Sequence, residues 1–174
     1  HKPRNIPVQE TLLFISILTA VGGYLNAYSF YTHGSFTSLH TGNMAKMGIS
    51  VFQGQWSEAL MIPISGNIVG AFLAELLRRS CTTRHPLIWQ KVSISSEIIA
   101  LFIIGFLPVS LPNILINWFL SVNAGFQLSN FRSCEGTVHN TTICTGNLRT
   151  VGQYLCTAVI TREKSAVTKL FRYA

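Results

Sequence analysis

The sequence predicts an all-α protein that crosses a membrane several times, and three observations carry this prediction. The first is composition, because 48% of the 174 residues are hydrophobic and only 11% are charged, whereas soluble domains average about 25% charged residues. The second is a series of long uncharged stretches, and the third is an internal repeat. We therefore expect a polytopic helical membrane protein built from two related halves.

The repeat consists of two matching blocks, each of which ends in the sequence Thr-Gly-Asn. In the first, Gly22-Gly-Tyr-Leu-Asn-Ala-Tyr-Ser-Phe closes an apolar stretch, and a polar loop leads to Thr41-Gly42-Asn43. In the second, Gly125-Phe-Gln-Leu-Ser-Asn-Phe leads through a similar loop to Thr145-Gly146-Asn147. Self-similarity of this kind sets the architecture, so we expect each half to contain the same elements.

This pattern predicts one membrane domain over residues 1–174. Repeat one is expected at about 11–77, a linking helix at about 92–107 and repeat two at about 113–174. A bilayer core about 30 Å thick needs about 20 apolar helical residues. The stretches predicted to cross are 11–30, 58–77, 92–107 and 113–131. Within the second of them, Gly66 and Gly70 have the spacing that lets two helices pack closely.

Each Thr-Gly-Asn is expected to open a short helix, ending near Phe52 in the first copy and near Ile160 in the second. If neither crosses the membrane, 12 of the 13 Lys and Arg residues share one face and only Lys46 is left out. If both cross, the basic residues divide almost evenly between the faces. The bias favours two re-entrant segments that enter from opposite faces, as in inverted repeats, although one re-entrant segment remains an alternative.

Composition also bounds the partners and the chemistry. The net charge of +7 does not predict nucleic-acid binding, because the basic residues lie between apolar segments and form no stripe interleaved with aromatics. The expected partner is the lipid bilayer of the cell membrane, with the amino terminus cytoplasmic. The four cysteines lack C-x-x-C spacing and no catalytic motif is present, so we expect no metal, no cofactor and no enzyme.

The Thr-Gly-Asn segments are the sharpest candidates for a binding site between the repeats. A helix that starts inside the membrane presents free N–H groups and the positive end of its dipole. Lys46 and Arg149 would add positive charge beside these two starts. The alternative is that Thr or Asn only caps a short helix, with no ligand.

Glu97 is the other candidate, because a carboxylate inside a predicted span is a functional hypothesis by default. The alternative is that it snorkels to the loop or pairs with Lys91 or a neighbouring basic residue. The full set of predicted solute-binding residues is Asn26, Thr41, Gly42, Asn43, Lys46, Glu97, Gln127, Thr145, Gly146, Asn147 and Arg149.

The two blocks together resemble the YoaK-like family of uncharacterised bacterial membrane proteins, the domain of unknown function 1275. The resemblance covers essentially the whole chain and implies an integral membrane protein, but no reaction. Two positions depart from the family pattern, since Asn26 stands where an acidic residue is common and Leu128 where an Asn is common. Family members usually continue through one more hydrophobic helix, so the resemblance implies that repeat two is truncated.

Two functions remain open at this point. The first is a small-solute transporter or channel-like protein with its site between the repeats. The second is a membrane protein that transports nothing and scaffolds a partner or binds lipid.

Overall fold

The computed structural model describes residues 7–82, 88–107, 111–134, 137–138, 141 and 144–161. This part of the chain is all-α, as predicted, and a two-strand hairpin of β1 (Ser133–Cys134) and β2 (Thr137–Val138) is its one sheet. The helices are α1 (Leu12–His33), α2 (His40–Phe52), α3 (Ile62–Thr82), α4 (Ile88–Gly105), α5 (Asn113–Asn130) and α6 (Cys144–Thr161). Single 3₁₀ turns at Val8–Glu10 and Glu58–Leu60 precede α1 and α3.

Two helical stretches of the described chain are long and apolar enough to cross a membrane. They are Leu12–His33 and Glu58–Ser80, with mean hydropathies of 1.4 and 1.7. Both coincide with predicted crossings. The other two predicted crossings form α4 and α5, each of 18 residues.

The first helix has a defined beginning and end. The Thr11 hydroxyl accepts a hydrogen bond from the backbone N–H of Phe14 at 3.4 Å, which caps the start of α1. At the other end Gly34 takes the left-handed conformation, with φ of +73°, and its N–H donates to the carbonyl of Phe30. Glycine adopts this conformation without steric cost, so it stops the helix and turns the chain into the loop before α2.

Contacts between α1 and α5 show that these helices run in opposite directions. Gln127, near the end of α5, donates from Nε2 to the carbonyl of Leu18, in the first half of α1, at 2.8 Å. Asn117, near the start of α5, bonds to Ser29, near the end of α1. The helices that precede the two Thr-Gly-Asn motifs are therefore antiparallel.

The direction of α4 follows from its contacts with the start of α1 and the end of α5. Ile94, in the second turn of α4, packs against the buried cluster of Ile15, Phe131 and Cys134, so α4 begins where α1 begins. We call this end of the bundle, with the starts of α1 and α4 and the end of α5, end A. The opposite end, where α1 finishes and α5 starts, is end B.

The closest helix pair is α3 with α5, and glycine makes this approach feasible. A Cβ atom added to Gly70 would lie 2.0 Å from the carbonyl oxygen of Val122, and one added to Gly125 would lie 2.3 Å from that of Asn67. One added to Gly66 would lie 2.7 Å from the carbonyl oxygen of Trp118. The predicted small-residue face of α3 is thus in contact with the backbone of α5. Because Gly66 and Gly70 meet successive turns of α5 in the same order, α3 and α5 are parallel.

The two Thr-Gly-Asn helices begin and end close to their predicted bounds, but they differ in length. α2 has 13 residues, whereas α6 has 18 and reaches about 27 Å at 1.5 Å per residue. The reason is local, since α2 stops at Gln53 beside Gly54, whose φ is +71°, and no glycine or proline follows Gly152 inside α6. Whether either helix re-enters the membrane stays a prediction.

We expect Gly70→Ala to destabilise the bundle and Gly23→Ala to leave its stability unchanged or slightly raised. An added methyl at Gly70 collides with backbone that cannot rotate away, and overpacking costs about 1–3 kcal/mol. Gly23 has no neighbour within 4 Å of an added Cβ, and alanine favours a helix over glycine by up to about 1 kcal/mol.

The measurement is thermal unfolding of both variants in the same detergent, followed by circular dichroism. Equal unfolding temperatures for the two variants would contradict the close contact of α3 with α5.

Candidate functional site

The loop before α2 is closed by a single buried side chain, that of Asn43. Its Oδ1 accepts from the backbone N–H of Phe36 at 2.8 Å, and its Nδ2 donates to the carbonyl of Phe36 at 2.8 Å. One amide thus satisfies both polar backbone groups of a residue seven positions earlier. Buried backbone groups need such partners, so Asn43 holds the loop in its fold.

Asn26 fastens the same loop to the middle of α1. Its Oδ1 accepts from the backbone N–H of Ser38 at 3.1 Å and from the hydroxyl of Thr37 at 3.0 Å. Its Nδ2 donates to the Ser38 hydroxyl at 2.8 Å and to the carbonyl of Gly22 at 3.2 Å. The predicted residue Asn26 therefore has a clear structural role, in which its amide both accepts and donates.

A third group of polar side chains joins the loop to α5. The Ser29 hydroxyl donates to the carbonyl of Ser35 at 2.7 Å and lies against Oδ1 of Asn117. Nδ2 of Asn117 donates to the Ser35 hydroxyl. The sequence analysis missed Ser29, Ser35 and Asn117, although a run of small hydroxyl residues beside an amide-rich span is a detectable signal.

Thr41, Gly42 and Asn43 form the first turn of α2 and do not cap it. The helix begins at His40, its N-cap is Leu39, and no side chain caps the start. Thr41 is exposed, and Gly42 lies against Phe36, whose ring would be 3.1 Å from an added Cβ. The capping role considered for Thr41 or Asn43 is wrong, because the chain has already entered the helix before either residue.

The charges near the start of α2 are arranged differently from the prediction. Lys46 donates from Nζ to the carbonyl of Gly34 and lies 4.3 Å from the centre of the Phe30 ring. Its charge therefore sits at the C-terminal end of α1, where exposed carbonyls carry partial negative charge. Burial lowers the pKa of His40 below its usual value, so the ring at the start of α2 is uncharged at neutral pH.

The second motif repeats the burial pattern of the first. Asn147 is buried like Asn43, whereas Thr145 and Arg149 are exposed and Gly146 is partly buried. Four residues before each motif stands a fully buried threonine, Thr37 in one copy and Thr141 in the other. The contacts described for Asn43 and Lys46 lie within repeat one, so the proximity of the two motifs stays a prediction.

Glu97 is buried in the bundle, with a side chain only 4% exposed. Neither carboxylate oxygen has a hydrogen-bond partner in the part of the chain that the structure describes. Within this part of the chain, Glu97 therefore neither reaches the helix end by snorkelling nor forms an ion pair with a basic residue. One turn earlier on α4, the fully buried Ser93 accepts a hydrogen bond from Nδ2 of Asn130 on α5.

Two amides on α5 are also incompletely satisfied. Gln127 uses its Nε2 in the bond to Leu18, but its Oε1 has no partner among the described residues. Within the same part of the chain, Nδ2 of Asn123 is buried without a partner. Gln127 therefore faces α1, whereas Asn123 lines a cavity between α4 and α5.

A cavity of about 710 Å³ lies among α1, α4 and α5. Its wall includes Tyr24 and Tyr28, whose rings stack with centroids 6.4 Å apart, and His33, which meets the edge of Tyr28 at 5.9 Å. Asn113 at the start of α5 adds an amide. None of the predicted site residues lines this cavity, although the spacing of Tyr24 and Tyr28 places both on one face of α1.

A second cavity, of about 390 Å³, lies between α4 and α5. Asn123 and Ser96 are its polar residues, and the rest of its described wall is apolar. Ile104 lines both cavities. On α4, Ala100 and Leu101 stand three and four residues after Glu97, and line the smaller and the larger cavity respectively.

The sequence from residue 14 to residue 174 matches the family model described as "Protein of unknown function (DUF1275)". The chain belongs to this family. No curated protein and no solved structure matches it. DUF1275 membership confirms the resemblance carried by the two Thr-Gly-Asn blocks, and it assigns no activity, because the family itself has none assigned.

We expect Asn43→Ala to destabilise this DUF1275 protein by about 1–3 kcal/mol, since it leaves the partly buried N–H and carbonyl of Phe36 without their partner. Thr41→Ala changes an exposed residue two positions away and should have little effect. The free energy of unfolding in detergent, measured by chemical denaturation, compares the two variants.

The same comparison applies to the second copy, with Asn147→Ala against Thr145→Ala. A loss at Asn43 without a loss at Asn147 would contradict the equivalence of the two motifs.

Proposed function

We propose that the chain is a multi-pass protein of the cell membrane that carries a small solute, as a transporter or channel-like protein. The observation that carries this proposal is the cavity of about 710 Å³ among α1, α4 and α5. α1 belongs to repeat one, α5 to repeat two, and α4 links them. The cavity therefore lies between the two proposed halves, although none of the predicted site residues lines it.

The distribution of polarity supports the membrane assignment. Buried positions of the bundle hold Asn26, Asn117 and Gln127, together with several hydroxyl residues. Large apolar side chains cover the outside instead, and Ile68, Phe72, Ile98, Phe102 and Phe106 are each more than half exposed. Water would penalise this outer surface, whereas lipid accepts it and leaves polar groups to bond between helices.

The directions of the helices support the orientation proposed from charge. The end of α3 and the start of α4 bring Arg78, Arg79 and Lys91 to the same end of the bundle as Arg132, which follows α5. This is end A, where α1 also begins. By the preference of basic loops for the cytoplasm, end A and the amino terminus face that side.

Two observations support inverted repeats. The helices that lead into the Thr-Gly-Asn motifs, α1 and α5, are antiparallel. The motifs themselves share the order of exposed Thr, partly buried Gly and buried Asn. Inverted repeats commonly place a substrate site at their interface, near broken or re-entrant helices.

The wall of the larger cavity indicates the chemistry of its solute. Its described residues include no Asp, Glu, Lys or Arg, and its polar groups are hydroxyl, imidazole and amide. Aromatic rings and aliphatic side chains supply the remainder. This lining suits a small organic solute without net negative charge, held by ring faces and oriented by a few hydrogen bonds.

The smaller cavity supports the alternative function, in which the protein binds lipid and transports nothing. Ile103, Leu107, Phe119 and Phe126 form an apolar wall on the surface of α4 and α5. A lipid acyl chain fits such a wall without any polar contact. Uptake measurements separate the two functions.

We expect purified protein in liposomes to take up particular small organic solutes, and Gly105→Leu to reduce this uptake to near background. Gly105 lines the larger cavity, and a Cβ added there has no neighbour within 4 Å, so the new side chain enters open space. Gly23→Leu is the matched control, because Gly23 is equally open but is not part of the cavity wall.

If both variants retain specific uptake, the pathway of the solute does not pass through the larger cavity. No specific uptake by the wild type, with a defined lipid retained through purification, would favour the lipid-binding function.

A further inference from the structure

Glu97 differs from every other described carboxylate in its surroundings. Glu75 pairs with Arg78 and Arg79 near the end of α3, and Glu10 accepts a hydrogen bond from the Ser133 hydroxyl at 3.3 Å. Glu97 is buried, and neither of its oxygens has a partner in the described residues. A charged carboxylate in that position would lose its hydration without compensation, so the protonated acid is the stable form.

The elements packed against Glu97 bring few charges near it. The titratable groups of α1 are Tyr24, Tyr28, Tyr31 and His33, all toward end B, and α5 has no ionisable residue. The charged groups of α3 are Glu75, Arg78 and Arg79, which pair with one another. Lys91 on α4 is exposed, and Arg132 after α5 donates to the carbonyl of Leu128.

Polar groups extend from Glu97 toward end A. A cavity of about 120 Å³ between α3 and α5 is lined by Glu75, Arg78, Arg132 and Asn130. Asn130 donates to Ser93, which stands one turn before Glu97 on α4. On the other side of Glu97, the next turn of α4 lines both larger cavities. Along α4, Glu97 thus lies between the side of end A that carries the polar cavity and the turn that lines the two larger cavities.

We propose that Glu97 is a proton-binding site whose protonation is coupled to movement of the solute. A carboxylate oxygen of Glu97 takes a proton from hydronium, giving the neutral acid and water, and returns it in the reverse step. The hydrogen bond between Asn130 and Ser93 and the small cavity lie on the end A side of Glu97, which is the side from which we expect the proton to arrive. The coupling rests on the proposed solute site, whereas proton binding rests on Glu97 alone.

Dicyclohexylcarbodiimide tests the proton site directly on the wild-type protein in liposomes. The acid O–H adds across one C=N bond of this reagent, no group leaves, and the adduct rearranges to a stable N-acylurea that mass spectrometry locates. We expect an adduct on Glu97 at mildly acidic pH and its progressive loss as the pH rises. Glu75 is the internal control, because its ion pairs keep it ionised and unreactive.

Absence of an adduct on Glu97 at mildly acidic pH, in protein that remains folded, would overturn the proposal. An adduct whose yield does not change with pH would also overturn it, because the group would then exchange no proton. Glu97→Gln gives the background for the assay, and Glu97→Asp should restore labelling.

Solute uptake separates this proposal from the proposed function. If the wild type takes up solute, Glu97→Gln should retain solute binding and lose the pH dependence of uptake, and Glu58→Gln, at an exposed position outside the cavities, should retain both. Uptake that keeps its pH dependence in Glu97→Gln would overturn the coupling. If Glu97 is labelled and no solute is taken up by the wild type, the transport function fails and the proton site stands.

Discussion

The hydrogen bonds of Asn26 hold the loop before the first Thr-Gly-Asn helix against α1 and so fix where that helix begins. Both ends of this amide bond to the loop before α2, and Ser29, one turn later, brings the loop to Asn117 on α5. Lipid offers helices no hydrophobic reason to associate, so buried hydrogen bonds and close backbone contacts do this instead. Protein groups satisfy the polar backbone of this irregular loop, which is the condition for placing such a segment within a bilayer.

Local features of the fold could be predicted from the sequence, and non-local ones could not. The length of the uncharged stretches and the positions of the glycines predict where α1 and α2 begin and end. The glycine positions also predict the small-residue face of α3. The helix that packs on this face could not be predicted. A Gly-x-x-x-Gly sequence indicates that some helix packs closely there, but it does not identify that helix as α5. Likewise, the sequence does not show that Tyr24 and Tyr28 line a cavity together with α4 and α5, because that cavity is formed by residues distant in the sequence.

Four of the predicted site residues have a defined place in the structure. Asn26 and Asn43 hold the loop before α2, Lys46 bonds to the end of α1, and Glu97 is a buried acid.

The two copies of the motif differ in the hydrogen bonds of their buried threonines. Thr37 donates to Asn26, but the hydroxyl of Thr141 is buried with no partner among the described residues. Leu128 in α5 occupies the position that corresponds to Asn26 in α1, so the second copy has an apolar side chain where the first has the amide that Thr37 bonds.

The contact between α3 and α5 also limits how the protein can change shape. Their backbones meet without intervening side chains at Gly66, Gly70 and Gly125, so rotamer changes cannot ease one helix past the other. These two helices act as a rigid frame. α1 and α4 touch α5 through side chains such as Gln127 and Ser93, which can exchange partners. Any rearrangement of the bundle would therefore move α1 and α4 against the fixed pair of α3 and α5.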